Sequence, residues 1–206
     1  MNKRFLFGML FFAVIGCVIF LVLQSRSHVA VPQSGTTIVV FGDSLVEGIG
    51  VENGSDFPSQ LEKMIGVPII NAGVAGDTTA EALKRFDADV LGQDPKIVII
   101  LLGGNDALQN VSPDTTFAHL ETMISRSRDH GAGVILIGVR GGLHNTEYKQ
   151  RFKELARTYE TAYLPDIHKG LFRDKELMTD TVHPNASGYA VIAQRIAPVV
   201  KEMLDY

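Results

Sequence analysis

The run Ile97-Val98-Ile99-Ile100-Leu101-Leu102 limits what this chain can fold into more than any other stretch, because it is apolar throughout and has no polar alternation. A strand that is apolar on both faces has to be covered on both, which is the situation of a parallel sheet packed between helices. Shorter runs of the same kind recur, and five strands are expected at Thr37–Phe41, Val67–Asn71, Lys96–Leu102, Val134–Val139 and Ala162–Asp166. Amphipathic segments fill the gaps and predict helices at Asp56–Ile65, Thr79–Val90, Pro113–His130, Thr146–Thr161 and Asn185–Leu204. Ser112 can cap the third of these helices and Pro113 suits its first position, while Gly131 and Gly133 end it. Regular strand–helix alternation predicts an α/β fold, a three-layer α/β/α sandwich forming one domain over residues 37–206. In such sheets ligands bind beyond the carboxyl ends of the strands, near the point where strand order reverses.

Residues 1–24 have a different character. Lys3 and Arg4 precede Phe5 to Leu23, an uncharged stretch of about 19 residues, long enough to cross a bilayer. Positive charge before it and little after it predict a cytoplasmic N-terminus and an exported domain. Three fates fit: a retained signal anchor, cleavage between Ser25 and Ala30, or lipidation of Cys17 in Val14-Ile15-Gly16-Cys17. The apolar continuation Val18 to Leu23 argues against lipidation. Residues 25–36 read as a polar linker, and a tether from Gln24 to Gly35 reaches at most roughly 40 Å. Cys17 is the single cysteine, so no intramolecular disulfide can form. A formal charge of −4, no basic run and no Trp give no support to a nucleic-acid surface. A small-molecule or lipidic substrate is expected instead, with a monomer as the default state.

The polar residues that follow the predicted strands carry the chemistry. Ser44 comes directly after the first strand in Phe41-Gly42-Asp43-Ser44-Leu45, where Gly42 allows a tight turn. A serine hydroxyl needs a base before it becomes a nucleophile, and Asp180-Thr181-Val182-His183-Pro184 supplies one with its orienter. Asp180, three residues before His183, lies within local reach of the imidazole Nδ1–H, which leaves Nε2 free to take a proton. His28, His119, His130, His144 and His168 lack such a partner and are assigned to surface or loop. Gly73 in Asn71-Ala72-Gly73 and Asn105 in Gly103-Gly104-Asn105-Asp106 end the second and third strands, where their N–H groups can meet a developing oxyanion. Taken alone, each is an ordinary turn sequence; at adjacent strand ends they favour an oxyanion hole. The residue two after the serine is Val46, so the G-x-S-x-G elbow of α/β-hydrolases is absent.

In these four blocks the chain resembles the SGNH hydrolases, also called GDSL lipases and esterases, and the match runs from about Thr37 to the C-terminus. A lone G-D-S-L would mean little, but four blocks in the right order and spacing are specific. Phe57-Pro58, the Asn71 to Thr79 segment and Leu102 to Asp106 look most like the bacterial multifunctional thioesterase, lysophospholipase and arylesterase group. The resemblance implies a flavodoxin-like sheet of order 2-1-3-4-5 and hydrolysis of esters or thioesters without a metal or other cofactor. It implies Ser44, Asp180 and His183 as the catalytic set, with Ser44, Gly73 and Asn105 holding the oxyanion. Arg140 to Asn145 departs from the proline-containing loop that borders the acyl site in that group. Ile49, Val51, Leu108 and Leu143 are candidates to line an acyl groove, though core or loop packing is the commoner fate of such residues.

Three other readings compete. A cell-envelope carbohydrate O-deacetylase would share the fold and the four blocks. A phosphate-binding module using Gly42, Gly48 and Gly50 lacks the G-K-[ST] loop and a G-x-G-x-x-G in register with the strand. A non-catalytic, membrane-tethered binding module gives no reason to keep both Ser44 and His183. No H-E-x-x-H or clustered Cys/His spacing suggests a metal.

Overall fold

A computed structural model describes residues 29–205 apart from 31, 33 and 141–144. Cys17, the apolar run before it and Leu143 therefore lie outside the described residues. Five parallel strands form one sheet in the order β2-β1-β3-β4-β5. They are β1 (Thr37–Gly42), β2 (Ile69–Gly73), β3 (Pro95–Leu101), β4 (Gly133–Ile137) and β5 (Ala162–Leu164).

The helices are α1 (Ser44–Glu47), α2 (Phe57–Ile65), α3 (Thr79–Asp89), α4 (Gly104–Leu108), α5 (Pro113–Asp129), α6 (Asn145–Thr158) and α7 (Ala186–Leu204). Their starts follow local chemistry. Asp56 Oδ1 accepts from Ser59 N at 2.9 Å, Ser112 Oγ from Thr115 N at 3.1 Å, and Asn185 Oδ1 from Ser187 N at 3.0 Å. Each thereby satisfies an orphan amide of the first turn.

The period-2 geometry of the strands divides their apolar side chains between two cores. Ile38, Val40, Ile97, Ile99 and Leu101 pack with Phe57 and Leu61 of α2 and with Tyr189, Ile192 and Ile196 of α7. Val39, Phe41, Val98 and Ile100 face the other way, onto Phe86 of α3, Leu120 of α5 and Phe152 of α6. The second core is rich in aromatic contacts. Phe117 meets Tyr148 edge-on at 5.2 Å and Phe152 at 4.9 Å, geometries worth about 0.5–1.5 kcal/mol each beyond area burial.

Two strand ends differ from expectation at a proline, and β4, expected to reach Val139, ends at Ile137. β2 was expected from Val67, but Pro68 has no N–H to offer the ladder, and pairing begins with Ile69 opposite Ile38. β5 ends at Leu164 because Pro165 follows it, and α6 stops at Thr158 before Glu160, which sits at φ 50°. Of the short helices, α1 is the helical turn that follows Gly42, and the five-residue α4 was not expected.

Ala30, Ser34 and Thr36 are bonded along the amino-terminal edge of the sheet. Ala30 N–H donates to Glu160 O ahead of β5, Ser34 N–H to Gly131 O ahead of β4, and Thr36 N–H to Asp94 O ahead of β3. Ser44, Gly73 and Asn105 all stand at the opposite, carboxyl-terminal edge. Among the described residues, no helix is long and apolar enough to cross a membrane.

Candidate active site

β1 delivers the chain to Ser44 through a turn that only glycine fits at its first position. A Cβ on Gly42 would lie 2.4 Å from both Leu101 O and Val46 Cγ2. Asp43 then caps α1, its Oδ1 accepting from Leu45 N at 3.1 Å. Ser44 is the first residue of α1, so its N–H has no acceptor within the helix. Asp43 is 4 % exposed, and burial pushes its carboxyl up to about 6 against the opposing pull of the Leu45 N–H and of His183.

His183 arrives from the other end of the chain. Its loop is pinned by an antiparallel bridge between Met178 and Pro184, by Thr179 N–H donating to His183 O at 2.9 Å, and by the Asn185 cap of α7. Asp180 Oδ1 accepts from the Val182 and His183 amides, both at 2.7 Å, which leaves Oδ2 to accept from His183 Nδ1 at 2.8 Å. The His183 hydrogen bonds, with that from Val182, hold the Asp180 carboxyl down at about 2. With the ring proton on Nδ1, Nε2 presents a lone pair, and it lies 3.1 Å from Ser44 Oγ. The structure thus places three residues spread over the chain in one hydrogen-bonded line.

Gly73 sits opposite Gly42 in the β1–β2 register. A Cβ there would come within 2.1 Å of Glu47 N, so the close packing of α1 on β2 requires glycine. At rest its N–H donates to Asn71 Oδ1 at 3.0 Å, a partner the sequence reading did not foresee. Asn105 is the second residue of α4, and its Nδ2 donates one hydrogen to Asp77 O at 2.9 Å. An amide nitrogen carries two hydrogens, so the other remains for a ligand. Next to it, fully buried Asp106 accepts from Thr79 N at 2.8 Å, Thr79 Oγ1 at 2.5 Å and Thr116 Oγ1 at 3.2 Å. That network ties α4 to α3 and α5 and fixes where Asn105 points. Sequence reasoning missed Asp106 as a support, although it stands inside the Gly103-Gly104-Asn105-Asp106 block.

A cleft of about 340 Å³ opens beside Ser44 and Asn105, with a mostly apolar lining that includes Leu45, Leu108, Val139, Phe172 and Val182. Leu108 is where it was expected, at the cleft and well exposed. Ile49 is not among the lining residues; its carbonyl accepts from Tyr189 OH at 3.0 Å, which fastens the segment after α1 to α7. Val51 packs against the first core. His168, assigned to surface or loop, lies in a loop but is buried at one end of the cleft, stacked on Phe172 with ring centroids 5.2 Å apart. Burial lowers it to about 4, so its ring stays neutral. No local pattern in the sequence announces that burial. Among the described residues, no group of three or more His, Cys, Asp or Glu side chains is placed to hold a metal ion.

A five-stranded parallel sheet of this order, carrying serine, glycine, asparagine and histidine at its carboxyl edge, defines a hydrolase of the SGNH class. The chain belongs to the GDSL-like Lipase/Acylhydrolase family, whose model matches residues 40–191. It is 26% identical over 200 residues to Esterase TesA of Pseudomonas aeruginosa, covering 92% of this chain and 96% of that protein. It is 25% identical over 178 residues to thioesterase 1/protease 1/lysophospholipase L1 of Escherichia coli K12, covering 82% of this chain and 86% of that protein. In three dimensions it resembles the crystal structure of TesA with a TM-score of 0.76 at 26% sequence identity, over 81% of this chain and 99% of that one.

Proposed function

We propose that this protein cleaves carboxylic esters or thioesters, of the aryl ester, lysophospholipid or acyl thioester kind, through an acyl-enzyme on Ser44. The observation that carries the reading is the line Asp180 Oδ2 to His183 Nδ1 at 2.8 Å and His183 Nε2 to Ser44 Oγ at 3.1 Å. His183 takes the hydroxyl proton as Ser44 attacks the carbonyl carbon, and Asp180 holds the ring in the tautomer that can accept it. The Ser44 and Gly73 amides and the spare Asn105 hydrogen receive the charge on the carbonyl oxygen. Gly73 exchanges the neutral Asn71 oxygen for a charged acceptor, which is the stronger hydrogen bond. His183 then returns the proton to the leaving group, water repeats the sequence, and the acid departs.

The names of the relatives favour esters and thioesters, and the apolar cleft beside Ser44 suits an acyl chain. The test is a panel on the full-length chain in detergent: nitrophenyl esters from acetyl to palmitoyl, an acyl thioester, a lysophospholipid and an acetylated glycan. Esters and thioesters should be cleaved, with kcat falling by about 10⁶ in Ser44→Ala. Cleavage of the acetylated glycan alone overturns the substrate class.

We also infer membrane attachment through residues 5–23, with the catalytic edge turned away from that membrane. Ala30, Ser34 and Thr36 hold the start of the domain at the amino-terminal edge of the sheet, so Ser44 stands at least one strand length, about 20 Å, beyond it. The link from Leu23 to Val29 spans at most about 20 Å. Substrate then arrives from the aqueous side rather than from the anchoring leaflet.

A further inference from the structure

We propose that Arg85 is a positioning residue for the oxyanion donors, acting on the site through the ends of β1 and β2 and the Asp77 turn at once; the inference rests on the proposed Ser44 chemistry. Arg85 lies in the middle of α3, its side chain only 18% exposed, and makes four hydrogen bonds. Nε donates to Asp77 Oδ2 at 2.7 Å, Nη1 to Ala72 O at 3.0 Å and to Asp89 Oδ2 at 2.9 Å, and Nη2 to Gly42 O at 3.0 Å. The guanidinium carbon stands 4.3 Å from the centroid of the Phe41 ring, which gives the plane a floor.

The three acceptors other than Asp89 each lead to a functional group. Ala72 O and Gly73 N belong to the same peptide unit, and in a trans peptide the C=O and N–H point in opposite directions. Holding the carbonyl therefore aims the Gly73 N–H, and a cation on that oxygen polarises the unit and strengthens the N–H as a donor. Asp77, gripped through its carboxylate, offers its own carbonyl to Asn105 Nδ2 at 2.9 Å, which sets the amide whose second hydrogen faces the cleft. Gly42 O lies two residues before Ser44 and also accepts from Val74 N at 3.0 Å, joining the β1 and β2 ends above the sheet. One planar fork thus fixes the bearings of Ser44, Gly73 and Asn105 relative to one another. An ammonium is a single point of charge and cannot span these acceptors.

A purely structural salt bridge would affect folding and leave the surviving sites fully active. A positioning role affects turnover per intact site. The test uses full-length protein in detergent, with active sites counted by a fluorophosphonate that labels reactive serines. Expected for Arg85→Ala is a fall in kcat per titrated site of about 10²-fold or more, the value of one oxyanion donor, with KM within about threefold. Millimolar guanidinium should recover about tenfold or more of that loss. Arg85→Lys, which keeps the charge beside Asp77 and the packing of α3, should still lose about tenfold per titrated site. Parent-like kcat per titrated site in either variant overturns the proposal, whatever happens to Tm. Titration of one serine per parent chain, abolished by Ser44→Ala, tests the Ser44 reading separately.

Discussion

Replacing Asp180 by asparagine should harm catalysis more than replacing it by alanine, and the reason lies in two backbone amides. Val182 N–H and His183 N–H both point at Asp180 Oδ1, at 2.7 Å each. In Asp180→Asn the side-chain oxygen must take that place, since an NH2 group there would face two donors. The NH2 is then turned toward His183 Nδ1, now an acceptor, and the imidazole proton moves to Nε2. A protonated Nε2 cannot accept from Ser44 Oγ, so the variant is locked in the wrong tautomer.

An equivalent change in a buried triad costs about 10⁴ in kcat. The Asp180 side chain is 51% exposed, which lets water compete, and the loss here is expected at about 10³–10⁴. Alanine leaves Nδ1 to that competing water and permits both tautomers, so its loss should be the smaller of the two. Because the Asp180 carboxyl is held at about 2, it is ionised throughout any practical assay range, and the order should not change between pH 6 and 9. Initial rates with nitrophenyl butyrate, normalised to titrated sites, give the answer. An asparagine variant as fast as or faster than the alanine variant refutes the tautomer argument.

The stability of the domain should respond to pH through two buried groups of opposite sign. Asp43, raised from 3.8 to about 6, contributes stability that is full below 3.8 and lost as pH rises through 6, amounting to about 3 kcal/mol. His168, lowered from 6.5 to about 4, contributes stability present above 6.5 and lost as pH falls through 4, again about 3 kcal/mol. Asp43→Asn should therefore steepen acid destabilisation between pH 6.5 and 4, and His168→Phe should relieve it. Urea unfolding at pH 4.5 and 7.5 reads both, and parent-like pH dependence in either variant counts against it. Gly73→Ala, with a Cβ 2.1 Å from Glu47 N, must push α1 off β2, and kcat should drop by about 10²-fold or more. Full-length protein in vesicles should cleave lysophospholipid added from solution in preference to the same lipid in its own bilayer; the reverse preference contradicts the orientation inferred from residues 29–36.

The sheet was legible because Val, Ile and Leu of β1, β3 and β4 are buried on both faces, which writes an unbroken apolar run into the sequence. β2 was read two residues early because it is an edge strand, only half-buried, and its apolar signal begins before Pro68 while its pairing begins after it. α1 and α4 are too short to show a helical period, yet they carry Ser44 and Asn105. Ser44, Gly73 and Asn105 were legible because each stands at or just past a strand end in a glycine-containing block, and His183 because Asp180 stands three residues before it. Arg85 and His168 were not. An arginine on a helix most often faces solvent, and only the meeting of the β1 and β2 ends with the Asp77 turn gives this one three of its four acceptors. The Gly73 amide shows the same limit from the other side, since nothing in Asn71-Ala72-Gly73 says that Asn71 occupies it.

The covalent step can be observed directly. Full-length protein mixed with a nitrophenyl ester, quenched in acid within the first turnovers and digested for mass spectrometry, should carry the acyl mass on the peptide containing Ser44. That mass should approach one acyl group per chain and be absent from Ser44→Ala. Continued turnover with no acyl on that peptide, or with the acyl on another residue, would contradict the account.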